Sequence, residues 1–155
     1  MSKKIQLCII GCANKGKSTL FNLLVGKKVA ITHDSPGVTV DCRYQETLIN
    51  GEPMVIADTP GFDECRQLNK NKIDQINQQI KNCILESDLI IHIIDAGTGY
   101  NHHDKGWAKY YLKQNKTALI AVNMIDKTNG EINTSTYQFS NSDILPISAK
   151  TKQGI

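Results

Sequence analysis

The sequence predicts an α/β protein whose mostly parallel, six-stranded sheet has one antiparallel edge strand and helices on both faces. Apolar runs that do not alternate with polar residues recur along the chain, as they do in strands buried on both faces. Segments with apolar residues at helical spacing separate most of these runs, which favours parallel strands joined through helices. Asn50-Gly51, between two short strand-like runs, is typical of a two-residue hairpin turn and supplies the antiparallel strand.

The predicted elements follow one another in the order that such a sheet requires. Strands are expected at residues 5–10, 44–49, 53–57, 89–94, 118–122 and 144–147, and helices at 17–24, 73–85 and 104–114. A helix that covers the sheet is expected after the last strand, yet the sequence ends at Ile155. Residues 1–155 are therefore expected to form a single domain of a longer protein, with that C-terminal helix missing.

Composition narrows the class of protein. At 155 residues, with 40% hydrophobic and 21% charged residues, the chain has the balance of one globular domain. No apolar run approaches the roughly 20 residues of a membrane span, so we expect no membrane contact. The five cysteines form no C-x-x-C pair, which argues against a zinc ribbon or a disulfide framework and favours reduced thiols in the cytoplasm. The net charge of +3 falls short of the basic surface of a dedicated nucleic-acid module.

A phosphate-binding loop is predicted between the first strand and the first helix. Residues 11–18 match the pattern G-x-x-x-x-G-K-[ST] in the context that the pattern requires, after a strand and before a helix. Glycines let the backbone N–H groups point at phosphate oxygens, and the helix N-terminus adds partial positive charge. In such loops the lysine, here Lys17, reaches the β- and γ-phosphates, and the hydroxyl, here Ser18, ligates Mg²⁺. The predicted phosphate-binding residues are Gly11, Cys12, Ala13, Asn14, Lys15, Gly16, Lys17, Ser18 and Thr19.

A second motif ends the strand over 53–57 and predicts contacts to the metal and to the γ-phosphate. Asp58 can hold Mg²⁺ through water, and the Gly61 N–H can sense the γ-phosphate. Thr39, in the loop after Pro36-Gly37, is placed to complete the Mg²⁺ shell when GTP is bound. The predicted nucleotide contacts of this region are Asp58, Thr59, Pro60, Gly61 and Phe62.

Two further motifs predict a guanine pocket. Asn123-Met124-Ile125-Asp126 ends the strand over 118–122, and the Asp126 carboxylate can accept two hydrogen bonds from the N–H and NH₂ edge of guanine, which adenine lacks. Ser148-Ala149-Lys150 follows the last strand, where a backbone N–H can meet the guanine O6. Ligands of open α/β sheets bind beyond the carboxyl ends of the strands. These four motifs, together with Thr39 in the loop between the first and the second, therefore predict a GTPase that binds GTP or GDP.

The chain resembles the translation-factor-related GTPases, and within them the group of Era, the tRNA-modification GTPase and the double-domain ribosome-assembly GTPase called EngA or Der. The likeness to the first G domain of EngA covers essentially the whole chain. It implies a P-loop NTPase G domain of a cytoplasmic protein that acts in large ribosomal subunit assembly, with a second G domain and an RNA-binding-like module after it. The residues that carry the likeness are 14–22, Ala30-Ile31, Asp34, Pro36-Gly37-Val38-Thr39, Asp41, Tyr44 and the stretch from Asp88 to Asp104.

The sequence departs from the pattern of this group at a few positions. Met124 replaces the lysine of N-K-x-D, Val40 and Cys42 replace two arginines, and Lys15 replaces a usual valine. The N-M-x-D form and P-G-V-T-V also occur in the G domain of the bacterial ferrous-iron transporter FeoB, which remains an alternative, although FeoB usually has D-L-P-G where this chain has D-T-P-G. A regulatory GDP/GTP-binding module with negligible turnover is a further alternative.

The position after Gly61 bears on how fast GTP is hydrolysed. Ras-like enzymes place there a glutamine that orients the attacking water, whereas Phe62 cannot hydrogen-bond to water. We therefore expect slow hydrolysis. By resemblance, Asn14 matches the position that ligates K⁺ in potassium-activated relatives, and K⁺ would supply the charge that an arginine otherwise brings; Arg66 is the alternative source of charge. The predicted catalytic residues are Lys17, Asn14, Thr39 and Gly61, with Ser18, Thr39 and Asp58 as Mg²⁺ ligands and Asn14 as the K⁺ ligand.

Overall fold

The computed structural model describes residues 3–26, 42–61, 69–129, 132–137 and 142–155. Its strands are β1 (Ile5–Gly11), β2 (Arg43–Ile49), β3 (Glu52–Asp58), β4 (Leu89–Asp95), β5 (Ala118–Asn123) and β6 (Asp143–Pro146). Its α-helices are α1 (Lys17–Val25), α2 (Lys70–Glu86) and α3 (His102–Lys113), and 3₁₀ turns cover Ile125–Lys127 and Thr134–Tyr137.

The six strands form one sheet in the order β2-β3-β1-β4-β5-β6. The edge strand β2 runs antiparallel to β3, and the other neighbours are parallel. Helix α1 packs on one face of the sheet, and α2 and α3 pack on the other. The predicted fold class is confirmed. Within the described residues, no helix combines the length and the apolar character needed to cross a bilayer.

Both faces of the central strands are buried, as their unbroken apolar sequence predicts. In β1, Ile9 lies in the core under α1, whereas Ile10 lies in the core under α2 and α3. The isoleucines of α2 at 76, 80 and 84 are fully buried against the second face. The sheet is therefore a rigid layer whose carboxyl ends can hold loops in fixed positions.

Two helices begin earlier than the apolar spacing predicts, because polar residues cap them. The Asn69 side chain accepts a hydrogen bond from the Lys72 N–H, so α2 starts three residues before the predicted position. In α3, Asn101 and Asp104 form a capping box, in which each side chain accepts from the backbone N–H of the other. The sequence signal for both starts was the capping residue and not the apolar pattern.

The Asn50-Gly51 turn fixes the register of the β2–β3 hairpin. Both residues have positive φ, 50° and 82°, as a two-residue hairpin turn with a primed geometry requires. Pairing then runs symmetrically from Ile49 opposite Glu52 to Arg43 opposite Asp58. The hairpin thus places a cation of the edge strand directly across from the aspartate that ends β3.

Candidate nucleotide-binding site

The predicted phosphate loop connects β1 to α1 as a tight turn. Asn14 and Gly16 have φ values of 60° and 96°, so the chain passes twice through the left-handed region. Gly16 is also the N-cap of α1 and makes no side-chain cap hydrogen bond. The N–H groups at the start of a helix need acceptors, and with a glycine cap they remain available to a bound anion.

Lys17 contributes a nearly buried cation to this loop. Its side chain folds back over the turn, and Nζ donates to the Cys12 carbonyl oxygen at 2.7 Å. The residue is only 7% exposed. An ammonium in this position, held against the loop backbone, can meet the oxygens of a phosphate that the loop binds.

The two predicted metal-holding groups, Ser18 and Asp58, lie side by side. The Ser18 hydroxyl donates to Asp58 Oδ2 at 3.0 Å, and Asp58 is buried. Its other oxygen, Oδ1, is buried and has no hydrogen-bond partner among the described residues. Hydroxyl and carboxylate oxygens are the protein ligands that Mg²⁺ prefers, often through water. The donor set and the unsatisfied Oδ1 therefore fit a magnesium site.

An arginine that the sequence analysis did not assign lies at the same place. Arg43 Nη2 donates to Asp58 Oδ2 at 2.6 Å and to Ser18 Oγ at 3.0 Å. The guanidinium also lies over the ring of Phe21, 5.5 Å from its centroid. The signal that could have found Arg43 was the hairpin register, because counting back from Asn50-Gly51 sets it opposite Asp58.

The residues of the motif after β3 pack directly on the phosphate loop. Thr59 Oγ1 donates to the Ile9 carbonyl at 2.8 Å. A Cβ added to Gly61 would lie 2.7 Å from the backbone nitrogen of Ala13, so only glycine allows this approach. The predicted site residues Thr39 and Phe62, and the alternative Arg66, lie outside the described residues.

Asn123 joins the phosphate loop to the predicted base-reading turn. Its Nδ2 donates to the Lys15 carbonyl at 2.8 Å, and its Oδ1 accepts from the Ala149 N–H at 2.9 Å. The Ser148 hydroxyl donates to Asp126 Oδ1 at 2.7 Å, which orients that carboxylate. Three motifs that are far apart in the sequence are thus connected by direct hydrogen bonds.

A cavity of about 110 Å³ opens between these motifs. Asp126 lines it, and Met124, in a left-handed conformation with φ of 67°, forms part of the wall. Lys127 Nζ lies 3.8 Å from the Met124 sulfur, so an ammonium is present beside the position where the motif has lost its lysine. The lining residues are Gly16, Thr19, Asn123, Met124, Asp126, Lys127, Ala149 and Lys150.

Lys15, predicted among the phosphate-binding residues, uses its side chain elsewhere. Its Nζ donates to Thr98 Oγ1, in the turn that follows β4, at 2.8 Å and lies 3.5 Å from Oδ2 of Asp95, the last residue of β4. Its backbone carbonyl, held by Asn123, is the part that belongs to the site. Lysine in place of the usual valine therefore adds a contact between the phosphate loop and the end of β4 with its following turn.

A buried polar cluster lies beneath the loop, formed by His92, Asp104 and Tyr111. His92 is fully buried in β4, with Nε2 2.9 Å from Asp104 Oδ1 and Nδ1 3.1 Å from the Tyr111 hydroxyl. Burial raises the pKa of Tyr111, so the phenol stays neutral. The Asn101 amide donates to the sulfur of Cys12 at 3.4 Å. Through its cap, α3 therefore supports the phosphate loop from below.

Comparison with known proteins decides the family. Residues 6–124 match the family model described as 50S ribosome-binding GTPase. The chain belongs to this GTPase family. The match spans the phosphate loop, the motif after β3 and the first part of the guanine motif, which are the elements whose geometry is given above.

Individual relatives indicate the group within this family that the chain resembles. The GTPase Der of Rickettsia conorii (strain ATCC VR-613 / Malish 7) is 36% identical over 156 residues, which cover all of this chain and 34% of the relative. The chain thus spans about a third of the length of the curated relatives it matches. The predicted resemblance to the EngA/Der group is confirmed.

Solved structures share the fold at 29% identity. Era in complex with MgGDPNP and nucleotides 1506–1542 of 16S ribosomal RNA has a TM-score of 0.76 and covers 99% of this chain and 53% of that one. The FeoB G-domain of Methanococcus jannaschii has a TM-score of 0.70 and covers 99% of this chain and 91% of that one. The chain is therefore a GTPase domain in sequence and in fold.

Proposed function

We propose that this domain binds GTP with Mg²⁺, hydrolyses it slowly to GDP and phosphate, and acts as a nucleotide-controlled switch in the cytoplasm, where GTP is supplied. The observation that carries the proposal is the position of Asn123. This side chain holds the phosphate loop and the Ser148-Ala149 turn together beside Asp126. One side chain thereby connects the region that binds phosphates to the region that selects guanine.

Phosphoryl transfer needs positioning and charge stabilisation more than covalent chemistry. Mg²⁺, when bound, neutralises charge on the phosphates, and Ser18, Asp58 and Thr39 are the residues that would hold it. Lys17 brings a desolvated positive charge to the loop, where electrostatic stabilisation is stronger than in water. Gly61, in contact with Ala13, brings its backbone next to the loop, where its N–H can bond to a γ-phosphate oxygen.

Potassium is proposed as the additional charge, held through Asn14. We expect GTP turnover by the chain to be at least about tenfold faster in KCl than in NaCl, because removing one charge-stabilising group costs roughly 10²–10³ in rate at comparable sites. Phosphate release at saturating MgGTP in the two salts measures this. Asn14→Gly should abolish the difference, since glycine removes the amide and keeps the left-handed backbone.

Two control variants complete this experiment. Asn115→Gly makes the same replacement at another left-handed asparagine, with φ of 57°, and should leave the K⁺ response intact. Asp126→Asn should lose the preference for guanine. Equal turnover in both salts would contradict the potassium proposal, and a wild-type chain that binds no guanine nucleotide would contradict the whole function.

The partner is proposed to be the large ribosomal subunit or its precursor, reached through the whole protein. The family description as 50S ribosome-binding GTPase supports the large subunit, and the complex of Era with 16S ribosomal RNA supports only the more general proposal of a ribosomal partner. We expect the whole protein to co-sediment with purified 50S subunits in a non-hydrolysable GTP analogue and to be released in GDP. Sedimentation at equal levels in both nucleotides would show that the contact is not nucleotide-controlled.

A second function is favoured by one residue and one structure. Met124 in the guanine pocket gives the N-M-x-D form of the motif, and the FeoB G-domain matches nearly end to end. The alternative is a G domain of a FeoB-type transporter or a binding module with negligible turnover. Tight GDP binding without turnover in either salt would favour this alternative.

A further inference from the structure

Arg43 is bound to both residues of the predicted magnesium site. Its Nη2 lies 2.6 Å from Asp58 Oδ2 and 3.0 Å from Ser18 Oγ, which are the two atoms that also bond to each other at 3.0 Å. The Asp58 side chain is 4% exposed and that of Arg43 is 25% exposed. A charge-assisted hydrogen bond to a carboxylate this well buried is among the stronger polar contacts in proteins.

The position of Arg43 is enforced by the fold and is not a chance contact of a flexible side chain. The hairpin register places Arg43 opposite Asp58, at the close cross-strand distance of paired residues. The ring of Phe21, which is buried in α1, supports the guanidinium from one face. Backbone pairing and ring packing together aim the cation at the oxygens of Asp58 and Ser18.

A guanidinium and Mg²⁺ compete for the same small region around Ser18 and Asp58. A Mg²⁺ ion held by Ser18 would lie about 2.0–2.1 Å from Oγ, and Arg43 Nη2 donates to the same atom at 3.0 Å, so the two cations would stand within about 5 Å of each other. Positive charges this close repel each other strongly beside a buried carboxylate, whether Asp58 holds the metal directly or through water. Each cation therefore weakens the binding of the other.

We propose that Arg43 is a built-in competitor of Mg²⁺ that sets how much metal the domain needs before it holds a nucleotide. Metal binding moves the guanidinium off Asp58 and Ser18, and metal loss lets it return to neutralise the buried carboxylate. The inference rests on the proposed function, because it concerns the metal that accompanies GTP or GDP.

The test is the Mg²⁺ dependence of nucleotide binding by the full chain. Binding of a fluorescent GDP analogue is titrated with MgCl₂ for the wild type, Arg43→Gln and Arg43→Lys. We expect the half-saturating Mg²⁺ concentration to fall about tenfold in Arg43→Gln, which loses the charge, and to fall less in Arg43→Lys, which keeps the charge without the planar fork. Thermal unfolding in EDTA should show Arg43→Gln folded but less stable than the wild type, with MgCl₂ and GDP reducing the difference.

Lys4→Gln is the matched control. Lys4, which precedes β1, forms an exposed ion pair with Glu46, which lies in β2 as Arg43 does. This variant therefore removes one positive charge that does not contact Ser18 or Asp58 and should keep the wild-type Mg²⁺ requirement. An unchanged or higher Mg²⁺ requirement in Arg43→Gln, with GDP still bound, would overturn the inference alone. A wild-type chain that binds no GDP at any Mg²⁺ concentration would overturn the proposed function together with it.

Discussion

Replacing Gly16 with alanine is expected to lower GDP affinity by about 150- to 5,000-fold, or about 3–5 kcal/mol. A Cβ at this position would overlap the Asn123 amide nitrogen, which is the group that donates to the Lys15 carbonyl. Asn123 is buried and hydrogen-bonded at both ends, so it has little freedom to move away. The left-handed φ of 96° adds a cost of about 1–2 kcal/mol for any side chain. Titration with a fluorescent GDP analogue measures the loss.

Gly26→Ala is the control for backbone strain. Gly26 ends the same helix with φ of 70°, and a Cβ there would meet nothing within 4 Å. This variant should lose a small amount of stability and keep its affinity for GDP. Equal GDP affinity in Gly16→Ala and Gly26→Ala would contradict the proposal that the hydrogen bonds of Asn123 join the phosphate loop to the guanine pocket.

Truncating Asp104 to alanine is expected to lower the free energy of unfolding by about 3–5 kcal/mol, a large share of the 5–15 kcal/mol typical of a domain. The change leaves the buried His92 Nε2 and the Asn101 N–H without their carboxylate partner. For a domain of this size the unfolding temperature should fall by about 6–20 °C. Thermal and urea unfolding measure both quantities.

Asp104→Ala removes both the contact with His92 and one half of the capping box of α3. The energetic coupling between Asp104 and His92 separates these two effects. A double variant, Asp104→Ala with His92→Phe, should be less destabilised than the two single variants predict together, because it no longer contains the imidazole whose Nε2 loses its carboxylate partner in Asp104→Ala. Glu46→Ala, which breaks the exposed pair with Lys4, should cost less than about 1 kcal/mol. Strict additivity of Asp104→Ala and His92→Phe would contradict a direct energetic link across the 2.9 Å contact.

Parts of the site that require a local pattern could be predicted from the sequence. A phosphate loop needs glycines at fixed spacing between a strand and a helix, and the ends of parallel strands meet at one edge, so the motifs at 11–18, 58–61, 123–126 and 148–150 could be placed together in advance. The Asn50-Gly51 turn likewise predicted the hairpin, because few residue pairs adopt two positive φ angles.

Contacts between residues that are distant in the sequence could not be predicted in this way. Nothing in the loop sequence shows that the Lys15 side chain turns toward Thr98, or that Cys12 contacts the Asn101 cap of α3. Both partners lie more than eighty positions away, and only the packed sheet brings them near. Arg43 was missed for a different reason, since its partner follows from the register, which motif matching does not use.

The symmetric pairing of the β2–β3 hairpin restricts where related sequences can tolerate insertions and deletions. A single residue inserted in one arm, between Arg43 and Ile49 or between Glu52 and Asp58, would shift the pairing by one between the insertion and the open end of the hairpin. Every side chain of that arm beyond the insertion, counted from the turn, would then face the opposite side of the sheet. The guanidinium would then leave the carboxylate that it faces. Insertions at the tip, or equal insertions in both arms, would preserve the pair. In relatives that keep an arginine and an aspartate here, we therefore expect gaps in this hairpin to cluster at the tip or to occur in matched pairs.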